Sequence, residues 1–320
     1  MNAVILTEGG REKGFGHITR CIALAQGFNE FFPDVNVHFI INSDNSVEKL
    51  LSEFESVEYF DWINSIEKIY ERITNETIAI IDSYYAPYEL LNDISEKAKI
   101  CVYIDDYNRI DYPDGVIVNG TIGAENIPYN KREGQKYLLG IDYAYLRKEF
   151  WNVSDRKINK EAKKVLITFG GIDNRNLTPK LLKALNSKYT EMEKIVVIGN
   201  SYSNIDEIKK CVDNKTELVF NADAEKMKNL MIDCDFAISS AGQTIYELLA
   251  TGIPSIIIGV VENQKSNIDG LIENKFLNFA GWWNESNLIN NILKIINERD
   301  FNYKKIEFSF VNNLKDVIYD

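Results

Sequence analysis

The feature that most constrains the fold of this chain is the alternation of short apolar runs with segments of helical spacing. Runs such as Ala3-Val4-Ile5-Leu6 and Ile100-Cys101-Val102-Tyr103-Ile104 have the length and composition of buried strands. Between such runs, stretches such as 87–98 repeat their apolar residues at the spacing of one helix face. Strands that alternate with helices form parallel sheets covered on both faces. The sequence therefore predicts an α/β protein.

This alternation stops and begins again near the middle of the chain. Residues 151–164 are polar and charged, as is typical of a linker, and a new apolar run follows at 165–169. We therefore expect two domains, 1–150 and 160–320, which the length of 320 residues also favours. Further strands are predicted at 35–41, 78–81, 116–118, 194–198, 217–220, 236–239 and 255–258, and further helices at 46–54, 177–185, 287–296 and 303–318.

A glycine-bearing loop, predicted over 7–13, joins the first strand to the first helix. Gly14 and Gly16 permit positive φ angles and let a ligand approach the backbone. The helix N-terminus favours a negatively charged ligand, and His17, one of two histidines in the chain, lies there. Two interpretations compete. Either the glycines make a tight turn and His17 caps the helix, or the loop binds a phosphorylated substrate and His17 acts on its reacting atom.

Polar residues follow three neighbouring strands of the predicted first sheet. Asp82 and Tyr84 follow one strand, Asp105 and Asp106 the next, and Asn119 a third. Ligands of parallel sheets bind beyond the carboxyl ends of the strands. Aspartate and asparagine are also common in plain turns, so both interpretations remain open.

The second half contains two loops of the same kind. Gly170 and Gly171 follow the first strand of this half, and small residues follow a later one. In that later loop a diphosphate can lie against the backbone, and the helix that begins near Gln243 offers its N-terminus. Glu247, one turn into that helix, is placed to accept hydrogen bonds from ribose hydroxyls. The alternative is an ordinary loop with a surface glutamate.

Composition excludes several classes of function. A net charge of −12 without a cluster of Lys and Arg argues against nucleic acid and anionic membranes as partners. No apolar run approaches the roughly 20 residues needed to span a bilayer, and no secretory signal is evident, so we expect a cytoplasmic protein. Four scattered cysteines indicate reduced core residues, and two histidines cannot form a His-rich zinc site. We expect no metal and no other cofactor.

Several motifs carry a family resemblance. The run G-F-G-H-I-T-R-C-I-A-L-A at 14–25 resembles the N-terminal signature of the UDP-2,4-diacetamido-2,4,6-trideoxy-beta-L-altropyranose hydrolases of pseudaminic acid biosynthesis. That group includes SpsG-like spore-coat polysaccharide proteins. Asp82 with Tyr84 matches the D-x-Y of these hydrolases, Asp105 with Asp106 matches their D-D, and 139–150 resembles another of their segments. The segment 239–254 resembles the donor-nucleotide loop of GT-B glycosyltransferases, and Asn263-Gln264 matches an N-Q pair near the nucleotide.

The resemblance implies a GT-B fold with two Rossmann-like domains facing across a cleft. The N-terminal domain would hold the sugar, the attacking water and a catalytic His17. The C-terminal domain would hold the nucleotide, and its last helix would cross back to the first domain. Implied ligands of the nucleotide and diphosphate are Gly14, Gly16, Gly170, Gly171, Ser240, Ala241, Gly242, Gln243, Thr244, Glu247, Asn263 and Gln264, and implied ligands of the sugar are Asp82, Tyr84, Asp105 and Asn119.

The implied activity is hydrolysis of the anomeric C–O bond of a UDP-(di)acetamido-deoxy sugar, with inversion and without a metal. The products are UDP and a free sugar for nonulosonic (pseudaminic-type) acid or surface polysaccharide biosynthesis. The alternative is a GT-B glycosyltransferase that uses a UDP-sugar donor. We expect a monomer whose partner is its UDP-sugar substrate; the residues leave open whether the nucleotide is UDP, GDP or CMP.

Overall fold

The structure, a computed structural model, describes residues 1–156, 159, 162–299 and 301–306. The chain divides into two compact units, of which the first comprises Met1–Lys148 and the second begins at Glu149. The helix predicted at 303–318 falls mostly outside the described residues, and so does its predicted crossing to the first domain. Residues 303–306, which are described, have no regular secondary structure.

The first unit is a parallel sheet covered by helices. Its described strands lie in the order β3-β2-β1-β4-β5-β6-β7, and every pair is parallel. The strands are β1 (Asn2–Gly9), β2 (Asn36–Ser43), β3 (Val57–Tyr59), β4 (Thr77–Asp82), β5 (Ile100–Ile104), β6 (Gly115–Asn119) and β7 (Gln135–Leu139), and the α-helices are α1 (Gly16–Phe31), α2 (Ile66–Tyr70) and α3 (Tyr88–Lys97).

Helices on both faces explain why the central strands are apolar throughout. In β4, Ile78 and Ile80 pack in the core that includes α1, whereas Ala79 and Ile81 pack in the core that includes α3. Every residue of this strand is buried. A strand that alternates one polar and one apolar residue would place polar groups in one of these two cores.

The strand order places a crevice between β1 and β4. From β1 the chain proceeds to β2 and β3 on one side, then returns to β4 on the other side. At such a switch point the connections diverge, and a crevice opens at the carboxyl ends of the two strands. The loop that leads into α1 and the residues after β4 lie at this edge.

The second unit repeats this arrangement. Its described strands lie in the order β10-β9-β8-β11-β12-β13, all pairs parallel, with the switch point between β8 and β11. The strands are β8 (Lys164–Thr168), β9 (Glu193–Ile198), β10 (Thr216–Phe220), β11 (Phe236–Ser240), β12 (Ser255–Gly259) and β13 (Asn278–Trp282), and the α-helices are α4 (Leu177–Lys188), α5 (Ile205–Lys209), α6 (Ala224–Asp233), α7 (Thr244–Thr251), α8 (Lys265–Glu273) and α9 (Leu288–Glu298).

The predicted α/β class is confirmed, but several elements differ from the prediction. Residues 7–9, predicted as loop, belong to β1, because this strand pairs with neighbours on both sides and their hydrogen bonds override local polarity. The segment 46–54 contains a 3₁₀ helix, Asn45–Leu51, rather than an α-helix. Three strands were not predicted: β3, β7 and β13. All three are edge strands with partly exposed residues, and so lack a continuous apolar run.

Two expectations from composition can be compared with the structure. All four cysteines are buried, as expected of core residues, and none is in a disulfide in the structure. Among the helices of the described ranges, none has the length and apolar character needed to cross a membrane.

Candidate active site

His17 and Asp82 meet at the switch point of the first unit. Asp82 is the last residue of β4, and α1 begins one residue before His17. The imidazole Nδ1 lies 2.5 Å from Asp82 Oδ1. The carboxylate is fully buried, and His17 is 8% exposed. The structure thus brings together two residues that the sequence placed 65 positions apart.

Arg20 joins this pair to a second carboxylate. Its guanidinium donates to both oxygens of Asp82, each at 2.5 Å, and to both oxygens of Asp106, at 2.7 and 2.8 Å. Arg20 was not among the predicted site residues, although it stands in the quoted motif. The signal that could have identified it is its spacing, because residues i and i+3 share one face of a helix.

The ion pair determines which imidazole nitrogen can act as a base. Burial alone would raise the pKa of Asp82, but Arg20 and His17 together lower it well below its usual range. The ionised carboxylate only accepts hydrogen bonds, so we assign the proton of neutral His17 to Nδ1. Arg20 Nη2, 3.2 Å from Nδ1, is then a close neighbour and not a hydrogen-bond donor to it. The lone pair remains on Nε2.

Tyr84 forms one wall of the site. Its ring packs edge-on against His17, with 4.4 Å between centroids and an interplanar angle of 81°. Its hydroxyl donates a hydrogen bond to Asp106 Oδ2. Burial and the neighbouring Asp106 raise the pKa of Tyr84, so its hydroxyl stays protonated. Tyr107, 46% exposed, extends this wall with its ring 5.6 Å from that of Tyr84.

Glu8 is a buried carboxylate that the sequence analysis missed. It was assigned to a loop, whereas it is the penultimate residue of β1 and is fully buried. Its Oε1 accepts hydrogen bonds from Ser83 Oγ at 2.8 Å and from Tyr84 N at 3.0 Å. Within the described part of the chain, its Oε2 has no hydrogen-bond partner. Burial raises the pKa of Glu8, and the Ser83 hydrogen bond and His17 partly offset that rise.

Asp105 and Asn119 belong to a neighbouring network. The Asp105 carboxylate accepts hydrogen bonds from Tyr129 and Tyr112 hydroxyls and from the backbone N–H of Asn108. Asn119 Nδ2 donates to the same Tyr129 oxygen at 2.9 Å. These contacts tie together the segments that follow β5 and β6. The roles of Asp82, Tyr84, Asp105 and Asn119 as sugar ligands stay predictions.

Glycines leave backbone uncovered near both switch points. Gly14 has φ +84° and Gly170 has φ +71°, backbone angles that residues other than glycine rarely adopt. A Cβ atom built on either would meet no other atom within 4 Å. Gly16 also has open space, but it does not have the positive φ that the sequence analysis allowed for it.

The loop after β11, predicted as a diphosphate site, joins a buried strand to the N-terminus of α7. Ser240 ends β11, the buried Ala241 follows, and Gln243 is the cap residue of α7. Glu247 lies in the first turn of α7 and is 6% exposed, which excludes the alternative of a surface glutamate. The roles predicted for Gly170, Gly171 and 240–244 as nucleotide ligands stay predictions.

Two further side chains line the carboxyl end of β12. Gln264 accepts a hydrogen bond from Val260 N at 3.0 Å, whereas its neighbour Asn263 is exposed. Arg175, which was not predicted, donates to Val260 O at 3.2 Å, and its guanidinium lies 4.1 Å from the Trp283 ring centroid. This stacking positions a cation at the end of the strand.

No set of three His, Cys, Asp or Glu side chains within the described ranges is arranged to hold a metal ion. Near the first switch point, Asp82 and Asp106 are instead paired with Arg20, whereas Asp105 and Glu8 accept hydrogen bonds from hydroxyl and backbone donors.

Comparison with known proteins places this architecture in a class. Residues 165–319 match the glycosyltransferase family 28 C-terminal domain. The glycosyltransferase SnogD from Streptomyces nogalater is 15% identical with a TM-score of 0.55, each chain covered to 99%. The UDP-GlcNAc 2-epimerase from Neisseria meningitidis is 11% identical with a TM-score of 0.62, covering 100% of this chain and 99% of that one. These likenesses concern the fold alone, and the protein has the GT-B fold.

The chain is also similar in sequence to four proteins, over 68–85% of its length. An uncharacterized protein of Methanocaldococcus jannaschii is 33% identical, covering 85% of this chain but only 58% of that protein. The pseudaminic acid cytidylyltransferase and UDP-2,4-diacetamido-2,4,6-trideoxy-beta-L-altropyranose hydrolase of Helicobacter pylori is 30% identical, covering 68% and 41%. The corresponding hydrolase of Campylobacter jejuni is 25% identical, covering 83% and 94%. The spore coat polysaccharide biosynthesis protein SpsG of Bacillus subtilis is 27% identical, covering 82% and 79%.

Proposed function

We propose that the protein hydrolyses a UDP-sugar at its anomeric C–O bond and releases UDP and the free sugar. The observation that carries this proposal is the buried His17–Asp82 pair at the switch point of the first unit. The names of the Helicobacter and Campylobacter relatives support the substrate class and the reaction.

In this mechanism His17 acts as the general base. Its Nε2 takes a proton from a water molecule while the water oxygen forms a bond to the anomeric carbon. The bond between that carbon and the diphosphate oxygen breaks, and UDP leaves with the electron pair. Attack from the face opposite UDP inverts the anomeric configuration. Asp82 holds the imidazole in the required tautomer and stabilises the imidazolium that forms.

The leaving diphosphate needs stabilisation of its negative charge rather than a strong acid. In the second unit, backbone N–H groups of Gly170, Gly171 and 240–244 and the N-terminus of α7 supply it. The Arg175 guanidinium is a further donor at this strand edge. Glu247 is proposed to bind the ribose, and Asn263 and Gln264 to lie near the nucleotide. In the first unit, Gly14 and Gly16 are proposed to approach the phosphates.

The finer assignment concerns the sugar. We propose a 2,4-diacetamido-2,4,6-trideoxy sugar, on the names of the relatives, with a role in pseudaminic-type acid or surface polysaccharide biosynthesis. Asp82 and Tyr84 with Asp105 and Asn119 are the proposed sugar-side residues. Of these, Asp82 and Tyr84 contact His17, Asp82 through its carboxylate and Tyr84 through its ring. We propose that Tyr84 contacts the sugar directly, because its ring lies beside the proposed base.

The experiment that tests the proposal measures release of nucleotide without any acceptor. The protein is incubated with a panel of UDP-, GDP- and CMP-sugars in water enriched in ¹⁸O. We expect UDP release from a diacetamido sugar, with the label in the sugar and not in UDP. Label in UDP would show attack at phosphorus and would contradict the mechanism. No nucleotide release from any member of the panel would contradict the proposed activity.

The match of residues 165–319 to a glycosyltransferase domain favours a second candidate, transfer of the sugar to an acceptor. A transferase would release UDP only when an acceptor is added. The same incubation, repeated with added sugar and lipid acceptors, distinguishes the two activities by the dependence of the rate on acceptor.

A further inference from the structure

Glu8 occupies a place at the switch point that the mechanism above does not explain. It is the penultimate residue of β1, and the two residues that bind its Oε1, Ser83 and Tyr84, directly follow β4. The carboxylate therefore joins the carboxyl ends of the two strands that border the crevice. Tyr84 also links Glu8 to His17, because its backbone N–H donates to Glu8 while its ring packs against the imidazole.

Anchoring alone does not require a charge at this position. Both hydrogen bonds to Glu8 are accepted by Oε1, whereas Oε2 is buried and has no hydrogen-bond partner in the ranges that the structure describes. A glutamine could accept the same two bonds through its amide oxygen. Burying an ionised carboxylate with half of its acceptor capacity unmet destabilises the fold. A second role for the charge would explain why this position carries a glutamate.

The neighbour that benefits from the charge is His17. A positive His17 lowers the pKa of Glu8, against the larger effect of burial, which raises it. Attraction between opposite charges is mutual, so a negative Glu8 and a positive His17 stabilise each other. The other groups around the imidazole are Asp82, Arg20 and Tyr84, with Asp106 paired to Arg20.

We propose that Glu8 is a positioning residue for His17: one oxygen anchors the backbone at Tyr84, and its negative charge stabilises the imidazole after it has accepted a proton. Asp82, Asp106 and Arg20 together carry a net charge of −1 around His17, and an ionised Glu8 makes it −2. A proton on His17 reduces this negative charge. The effect on turnover rests on the proposed function, in which His17 is the base, whereas the effect on the titration of His17 needs no substrate.

Glu8→Gln tests the proposal because it keeps the anchoring bonds and removes the charge. The titration of both histidines is followed by NMR of the ring nitrogens, with His38 as the internal control, since it pairs with Glu58 and Ser56 elsewhere. We expect the His17 midpoint to move to lower pH by roughly half a unit or more, and that of His38 to stay. Glu89→Gln, an exposed residue of α3, is the matched control variant.

Turnover gives a second readout. In Glu8→Gln the acidic limb of the pH–rate profile should move to lower pH, and the plateau should fall a few-fold because the base is weaker. An unmoved His17 titration in folded Glu8→Gln would overturn the proposal. Lack of UDP release by the unaltered protein would overturn the proposed function and the turnover claim, and the titration shift would still be measured. The two failures are therefore distinguishable.

A reciprocal measurement covers the case in which Glu8→Gln does not fold. In His17→Gln the carboxyl carbon of Glu8 should titrate at higher pH than in the unaltered protein, because the lowering effect of His17 is lost. An unchanged Glu8 titration in His17→Gln would overturn the proposal on its own.

Discussion

The two switch points of this protein use the same strand order and very different chemistry. Between β1 and β4 the carboxyl edge carries buried ionisable side chains: Glu8, His17, Arg20 and Asp82. Between β8 and β11 the corresponding edge carries glycines, small side chains and a helix N-terminus. One fold thus carries a candidate site made of side chains in the first unit and a candidate site made of backbone groups in the second. We infer that the first serves proton transfer and the second serves binding of the nucleotide.

The largest effect is expected from Asp82→Asn, which removes the negative charge of the carboxylate at the centre of the first switch point. Removing one partner of a buried ion pair leaves Arg20 partly uncompensated and costs about 3–5 kcal/mol of stability. Activity should also fall, because Asp82 no longer holds the His17 tautomer. Chemical denaturation and UDP release measure the two effects, with Asp34→Asn, an exposed aspartate, as control. A variant as stable and active as the unaltered protein would remove Asp82 from both roles.

The same residue gives a pH dependence of stability. Because the pKa of Asp82 is lower in the folded than in the unfolded state, its contribution is present above the unfolded value and lost as pH falls. Glu8 has the opposite sign: its raised pKa makes its contribution largest below its usual value and lost as pH rises. Melting curves across pH should therefore show Asp82→Asn destabilised most at neutral pH, and Glu8→Gln at least as stable there as the unaltered protein. A Glu8→Gln variant that melts markedly lower at neutral pH would contradict the second sign.

His17→Ala separates chemistry in the first unit from binding in the second. General base catalysis contributes roughly 10²–10⁴-fold to a rate, so turnover should fall by that factor. UDP affinity should stay nearly unchanged, because the proposed nucleotide ligands lie mainly in the second unit. His38→Ala is the matched control, since His38 lies near the amino end of β2 and bonds to Ser56. Wild-type turnover in His17→Ala would remove this residue from the mechanism.

Glu247→Ala tests the second switch point, where we expect nucleotide binding to weaken and the chemical step to stay nearly unchanged. Loss of a ribose contact removes binding common to substrate and transition state, so KM should rise with little change in kcat. The expected cost is about 1.5–3 kcal/mol in UDP binding, as for hydrogen bonds to charged groups. Calorimetric titration with UDP measures it, alongside a melting curve because Glu247 is buried. Glu225→Ala on α6 is the control. Unchanged UDP affinity in a folded variant would show that Glu247 is not a nucleotide ligand.

The smallest expected effect is that of a chelator. Neither switch point is proposed to use a metal, so turnover should survive EDTA. Loss of activity on chelation and its recovery with Mg²⁺ would contradict this, and would redirect attention to Asp105 and Asp106. The control is the same buffer exchange without chelator.

The sequence by itself determined the class of fold, and it predicted two candidate sites that stay predictions. Buried strands of parallel sheets are apolar on both faces, so the central strands were visible as runs such as 78–81, and the loops after them followed. The edge strands β3, β7 and β13 were not visible, because a half-exposed strand has no such run. The element boundary at β1 was wrong, because hydrogen bonds from two neighbouring strands, and not local composition, extended it to Gly9.

Only the tertiary structure decided what the charged residues do. Aspartates 82 and 106 are 24 positions apart in the chain, yet the Arg20 guanidinium binds both, because neighbouring parallel strands end at the same edge. Composition gave no reason to separate Asp105 from Asp106, and the fold turns one towards tyrosines and the other towards Arg20. The proposed role of Glu8 likewise depends on its burial and on its hydrogen bond to Tyr84, which packs against His17. Burial, pairing and distance set the chemistry of an ionisable group, and these are properties of the fold.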